Sequence, residues 1–294
     1  MVSVDRPTGT LDVRQVARAH RAIEPLHSHV YFAPENEERL TAAGLRPGRM
    51  CYFAGRAAAM GPVGPGVVTA TFYNFSPVLI ARHIPRAWTL ASPAEVLAAR
   101  LSAARASFTR LLGGPEEAAA PEVGELAGLL REACSVLTPE GRPLYAAHAD
   151  LDWPEAPLTQ LWHAATLLRE YRGDGHLTAL LRADLSGLEA LISHTATGRG
   201  FTEQFARIGR GYSEEEWTAG CAALADRGLL DDAGLTAEGQ DLRDRMETET
   251  DVLSADPWLY LGPERTARVI ELGRAFSARI VANGAFPSGT FAGR

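Results

Sequence analysis

The chain has 294 residues, 46% hydrophobic and 22% charged, with a formal net charge of −7; this is the composition of a folded protein of one large or two ordinary domains. All 29 basic residues are arginine, which excludes a lysine Schiff base, pyridoxal phosphate held in the usual way, and the phosphate-binding lysines of P-loop proteins and kinases. The acidic balance argues against a general polyanion binder.

No apolar run reaches the roughly 18 residues that span a bilayer. The opening MVSVDRPTGTLDVRQ lacks the apolar stretch of a secretory signal, so a cytoplasmic location without a membrane partner is expected. Cys51, Cys134 and Cys221 lie far apart with no Cys-x-x-Cys pair. Neither a disulfide framework nor a thiolate zinc site is indicated, and buried, inert thiols are expected.

In chain order, residues 11–45 have a helical pattern punctuated by Pro25 and Pro34. GPVGPG is a turn cluster without the spacing of a dinucleotide loop. VVTATFYNF, residues 67–75, is rich in β-branched and aromatic residues and reads as a strand. Ser76 and Pro77 open a short helix that Pro85 stops. Ser92, Pro93 and Glu95 form a capping box for a helix that runs to Leu112 and ends at Gly113-Gly114.

Prolines in ADLDWPEAPL place a boundary that divides the chain into residues 1–152 and 153–294. Beyond it, Leu158 to Tyr171 reads as a helix ended by Gly173, with Asp174 capping a second from His176 to Ala183 and Ser186 capping a third. Residues 202–228 have the pattern of a helix-turn-helix, with a capping box at Ser213 and Glu216, and residues 229–236 read as a wing with its turn at Asp232 to Gly234. Thr236 caps a long helix. SPAEVLAARLSAARASFTRLLGG and GPERTARVIELGRAFSARIVANG are alike, and Trp88 and Trp258 precede them. The expected fold is therefore mainly α with short β-wings, in two diverged winged-helix-like halves.

The phrases EPLHSHVYFAPE, YFAGRAAAMGPVG, VVTATFYNFSPVLIARHIPRAW, LWHAATLLREYRGDGHLTALL, GLEALISH and LTAEGQDLRDRMETETDVLSADPW together resemble the SalK-like proteins. These are an actinobacterial, helix-turn-helix-containing family named for a member of the salinomycin cluster. The resemblance covers nearly the whole chain and implies a tandem winged-helix-like architecture in actinobacterial metabolism. It carries no biochemical activity with it.

A helix-turn-helix suggests a DNA-binding regulator, and charge tests the suggestion. The second helix, SEEEWTAGCAALADRG, carries Glu214, Glu215, Glu216 and Asp226 against Arg227, and the wing adds Asp231 and Asp232. A recognition helix presents its N-terminal residues to the groove between two phosphate rails, and here those residues are glutamates. Arg207 and Arg210 just before the helix do not reverse its sign, so DNA is disfavoured as the partner of this element.

Several polar groups are candidates for chemistry. His27, His29 and Glu35 share LHSHVYFAPE, but a metal would need a third ligand that the sequence does not locate, and no His-Glu-x-x-His is present. Arg82, His83 and Arg86 end a helix, where they meet its dipole or form an anion rim. His163 and Glu170, seven residues apart, share a helical face. With His176, Asp174 and His194 they provide either acid–base chemistry or a buried ion-pair network that fixes a helix corner. No nucleophile motif is present.

The expected function is a small-molecule-binding or catalytic protein of actinobacterial metabolism, its specialised branch included. His163, Glu170 and His176 would be its catalytic set. His27, Arg56, Tyr73, His83, Arg172 and His194 would line the ligand site, with the aromatics of FYNF and VYF as its apolar wall. No cofactor, substrate or reaction follows from the sequence. The alternative is a MarR-like, ligand-responsive transcriptional regulator acting as a homodimer.

Overall fold

The computed structural model describes residues 12–287. Its elements in chain order begin with α1 (Val13–Ser28), α2 (Pro34–Ala42), α3 (Arg49–Ala57), α4 (Pro65–Phe72), α5 (Pro77–Ala81) and α6 (Pro93–Leu112). Then come α7 (Pro115–Ala118), α8 (Pro121–Cys134), α9 (Pro143–Ala149), α10 (Pro157–Arg182) and α11 (Gly187–Ala196). The chain continues through α12 (Glu203–Arg210), α13 (Glu214–Asp226), β1 (Leu230–Asp231), β2 (Gly234–Leu235), α14 (Ala237–Leu253) and α15 (Asp256–Ala282), the last broken at Gly262.

Proline starts many of these helices, because its fixed φ suits the first turn and its missing N–H is not needed there. Serine caps others. Ser92 with Glu95, Ser186 with Glu189, and Ser213 with Glu216 each form a complete capping box at α6, α11 and α13. Thr236 caps α14. No described helix is long and apolar enough to cross a membrane.

Three apolar cores organise the molecule. The largest joins α1, α6, α8, α10 and α15 around Leu26, Phe108, Leu168 and Trp258. A second, around Phe53, Phe72, Phe75 and Ile80, holds α3 to α5 against α6. The third, around Leu180, Leu191, Trp217 and Leu224, builds α11 to α14 onto the end of α10. In that last unit the β1–β2 hairpin, Leu230 opposite Leu235, is the only paired sheet among the described residues. One wing is present there and not two, and the described part of residues 1–152 contains no strand.

The expected strand at 67–75 is a correction, since it is helix α4 and the turn after it. Its buried residues Val68, Thr71, Phe72 and Phe75 recur at helical spacing. The threonines that favour a strand turn their hydroxyls onto the preceding turn, Thr69 to Pro65 O at 2.9 Å and Thr71 to Val67 O at 3.0 Å. Tyr73 ends the helix at φ 57.

The expected break at Gly173 is a second correction, because α10 runs through it. Gly175 lies where a β-carbon would meet Arg142 Nη1 at 2.8 Å and Leu253 Cβ at 3.3 Å, so it serves close packing and not a turn. Asp174 caps a different helix from the one expected. Its Oδ2 accepts from the backbone N–H of Leu144 at 3.0 Å and of Tyr145 at 2.9 Å, in the first turn of α9.

Candidate functional site

A cavity of ≈ 810 Å³ lies where the three cores meet. Helices α1, α3 and α10 supply one side, and α11, α12 and α14 supply the other. The turn Tyr73–Asn74–Phe75 closes it between them. That turn also ties the two sides together. Tyr73 donates its hydroxyl to Leu185 O at 2.7 Å, and Ser76 N–H donates to Arg210 O at 2.9 Å. Gly187 comes so close that a β-carbon would sit 2.0 Å from Tyr73 O.

Charge in the cavity follows a definite pairing. Glu170, 0% exposed, receives Arg56 in a two-pronged bond (Nε to Oε1 3.0 Å, Nη2 to Oε2 2.8 Å) and Arg169 Nη1 at 2.6 Å. Burial alone would raise the Glu170 pKa, but Arg169 and Arg56 together hold it well below the usual carboxylate range. Arg172 reaches Asp251 at 3.0 Å and Glu247 at 3.2 Å, and Arg243 reaches Glu247 at 3.1 Å. Glu24 lines the same space without an ion pair among the described residues.

Arg210, the last residue of α12, has no carboxylate partner among the described residues, and its Nε–H makes no hydrogen bond. Its guanidinium lies 4.2 Å from the Phe75 ring centre and 5.3 Å from that of Phe201. Burial pulls its pKa down to about 10. Tyr52 reports the same surplus of positive charge. Burial pushes its phenol pKa up, but Arg56, Arg210 and Arg169 overcome this and bring it below the ordinary value.

The cavity histidines His20, His176 and His194 are hydrogen-bonded, and burial lowers the pKa of each. Trp258 Nε1–H donates to His20 Nε2 at 2.9 Å, so His20 carries its proton on Nδ1. Burial, with repulsion from Arg172, pulls its pKa to about 3. Arg243 can only donate, so His194 Nδ1 accepts at 3.2 Å and its proton is on Nε2. Burial lowers the His194 pKa as well. His176 Nδ1 meets Thr250 Oγ1 at 2.9 Å, and burial draws its pKa to about 4.

Of the residues singled out in the sequence, Arg56, Tyr73, Arg172, His176 and His194 line this cavity, and Glu170 stands directly behind Arg56. The other three lie elsewhere. His27 is fully buried in a relay: Arg100 donates to Tyr31 OH (3.1 Å), Tyr31 to His27 Nε2 (3.0 Å), His27 Nδ1–H to Thr166 (2.9 Å), and Thr166 to Trp162 O (2.8 Å). His83 packs on Phe53, ring centres 5.7 Å apart. His163 meets Trp153 edge-on at 4.9 Å, its Nε2 buried without a hydrogen bond, and burial lowers its pKa to about 4. The structure therefore does not gather His163, Glu170 and His176 into one group, because a turn-by-turn advance along α10 separates residues that share a face.

Arg243, Glu247, Arg169, Glu24 and His20 were not among the candidate site residues, and Arg210 was considered only as a basic residue beside the helix-turn-helix. Only the fold joins them, although the FYNF and GRG segments that flank Arg210's position are visible in the sequence. No three His, Cys, Asp or Glu residues among those described are arranged to hold a metal ion. Cys51 and Cys134 are buried and Cys221 half-buried, and burial raises all three thiol pKa values.

Helices α12 and α13, joined at Gly211 and followed by the β1–β2 hairpin, define the class: a largely helical protein that carries a helix-turn-helix. The chain belongs to a helix-turn-helix family, whose family model matches residues 16–287. No curated protein and no solved structure matches it.

Proposed function

We propose that the chain is a ligand-responsive helix-turn-helix regulator, in which a small molecule in the cavity sets how α11–α14 sit against the helical body and so alters contact with DNA. One observation carries this reading. The ≈ 810 Å³ cavity takes its walls from both sides of that joint, so an occupant that prefers one arrangement shifts the population toward it. Family membership supports DNA as the target.

The exposed first turn of α13, Glu214 to Glu216, does not suit a groove between phosphates. Phosphate contacts then fall to flanking arginines such as Arg199 and Arg207. The test is a gel shift on the DNA upstream of the protein's own coding sequence, across a salt series. Sequence-specific retardation that weakens with salt is expected, and its absence at low salt sinks the DNA-binding part.

A second reading is favoured by those same three glutamates. It is a ligand-binding or catalytic protein of actinobacterial specialised metabolism, with the helix-turn-helix as a packing module. The resemblance to SalK-like proteins supports it, and failure of the gel shift would move the assignment there.

A further inference from the structure

We propose that the cavity's ligand is an organic carboxylate with an aromatic or otherwise apolar body, and that Arg210 is the residue that binds its carboxylate. This deepens the ligand-responsive reading and rests on it for the consequence of binding. It rests on the cavity alone for the binding itself.

The cavity wall carries more arginines than carboxylates, even with Glu170 behind Arg56 counted. Two of the arginines, Arg21 and Arg199, are exposed, and pairing accounts for all the others but one. Glu170 serves Arg56 and Arg169, while Glu247 and Asp251 serve Arg172 and Arg243, which leaves Arg210 without a carboxylate. A guanidinium left unpaired in an enclosed space is costly, and its planar fork matches a carboxylate. A carboxylate on a ligand supplies the missing partner, and inorganic phosphate lacks the apolar body that the rings beside Arg210 accept.

The surroundings give the rest of the ligand. Phe75 and Phe201 flank Arg210, and Tyr52, Phe72, Leu177 and Leu191 extend the apolar wall. His20, whose proton the Trp258 bond places on Nδ1, and Glu24, a carboxylate without an ion pair among the described residues, also line the cavity. The site thus takes an anionic head at Arg210, a flat apolar middle, and hydroxyl or carbonyl groups toward His20 and Glu24. A volume of ≈ 810 Å³ is of the size that holds drug-sized molecules.

The test uses the purified full chain and 1-anilinonaphthalene-8-sulfonate, a fluorescent aromatic monoanion, as reporter. Naphthalene-2-carboxylate is expected to displace it at least about tenfold more effectively than the isosteric naphthalene-2-carboxamide, the scale of a charged hydrogen bond. Inorganic phosphate at the same concentration should not displace it. Arg210→Gln should remove the preference, and Arg210→Lys should retain part of it. The proposal is overturned if acid and amide compete equally, if phosphate displaces the reporter, or if Arg210→Gln keeps the preference. Should that variant fail to fold, the acid–amide comparison on the unaltered protein decides alone. No DNA enters this assay, so it can succeed while the gel shift fails, and the reverse.

Discussion

The indole N–H of Trp258 donates to Nε2 of His20 over 2.9 Å, and this bond places the imidazole proton on Nδ1. The 3.3 Å approach of Nε2 to Ser254 O is then a contact between two acceptors and not a second hydrogen bond. Protonating Nε2 would turn two donors toward each other, so the pair holds His20 neutral in the same sense as burial does.

That has a consequence for acid stability. His20 is held at about 3, and His29, His148, His163 and His176 at about 4, each chiefly by burial, against 6.5 when unfolded. Between pH 6.5 and 4 the unfolded chain binds more protons than the native one, so stability must rise with pH in that window and be lost as pH falls through it. Denaturant unfolding at half-unit steps from pH 7.5 to 4.5 should show this slope beginning near pH 6.5. A flat profile down to pH 5 would contradict the neutral, buried assignment.

Asp174 runs the other way. Burial raises its carboxyl to about 6 although two backbone N–H groups of α9 point at it. Its native form therefore holds a proton better than the unfolded chain does, and its ionisation weakens the fold as pH rises through 6. Asp174→Asn keeps an acceptor for both N–H groups and stays neutral. At pH 7 it should be as stable as the parent or more so, whereas Asp174→Ala uncaps α9 and should cost about 1–2 kcal/mol. Thermal melts of the two variants side by side distinguish an N-cap from a catalytic acid.

Glu170 is the shared counter-ion of Arg56 and Arg169 on the cavity's rear wall. Glu170→Gln removes the charge and leaves two enclosed cations, which should cost about 3–5 kcal/mol. Glu170→Asp, shorter by one methylene, should recover part of that. If Glu170→Gln melts within about a degree of the parent, the ion-pair triad is not what holds α3 to α10.

Gly187 allows α11 to approach the Tyr73 carbonyl, and a β-carbon there would lie 2.0 Å from it. Gly187→Ala should push the Tyr73–Phe75 turn away, lower the melting temperature sharply and weaken reporter binding in the cavity. Gly128, in the middle of α8 with nothing within 4 Å of its would-be β-carbon, is the control. There alanine should add up to about 1 kcal/mol by helix propensity alone. Equal effects at the two sites would mean that the close approach is not structural.

What the sequence discloses here is what local chemistry decides. Ser92, Ser186, Ser213 and Thr236 could be read as caps because a cap needs only its own next three residues. The stretch 67–75 misled because β-branched propensity outweighed the helical spacing of Val68, Thr71, Phe72 and Phe75, and packing against Phe53 decided the matter. Gly173 looked like a stop because nothing local reveals that the helix continues past it to pack Gly175 against Arg142 and Leu253 from another part of the chain. Arg210 and Arg243 could not be grouped with Arg56 and His20 for the same reason, since only the meeting of three cores brings them to one cavity.

Two contacts in the joint between the sides of the cavity need no lining side chain: Ser76 N–H on Arg210 O, and the Tyr73 carbonyl against Gly187. On the proposed reading, exchange of Phe201, His194 or Arg243 would alter which molecule the cavity accepts and leave these two backbone contacts in place.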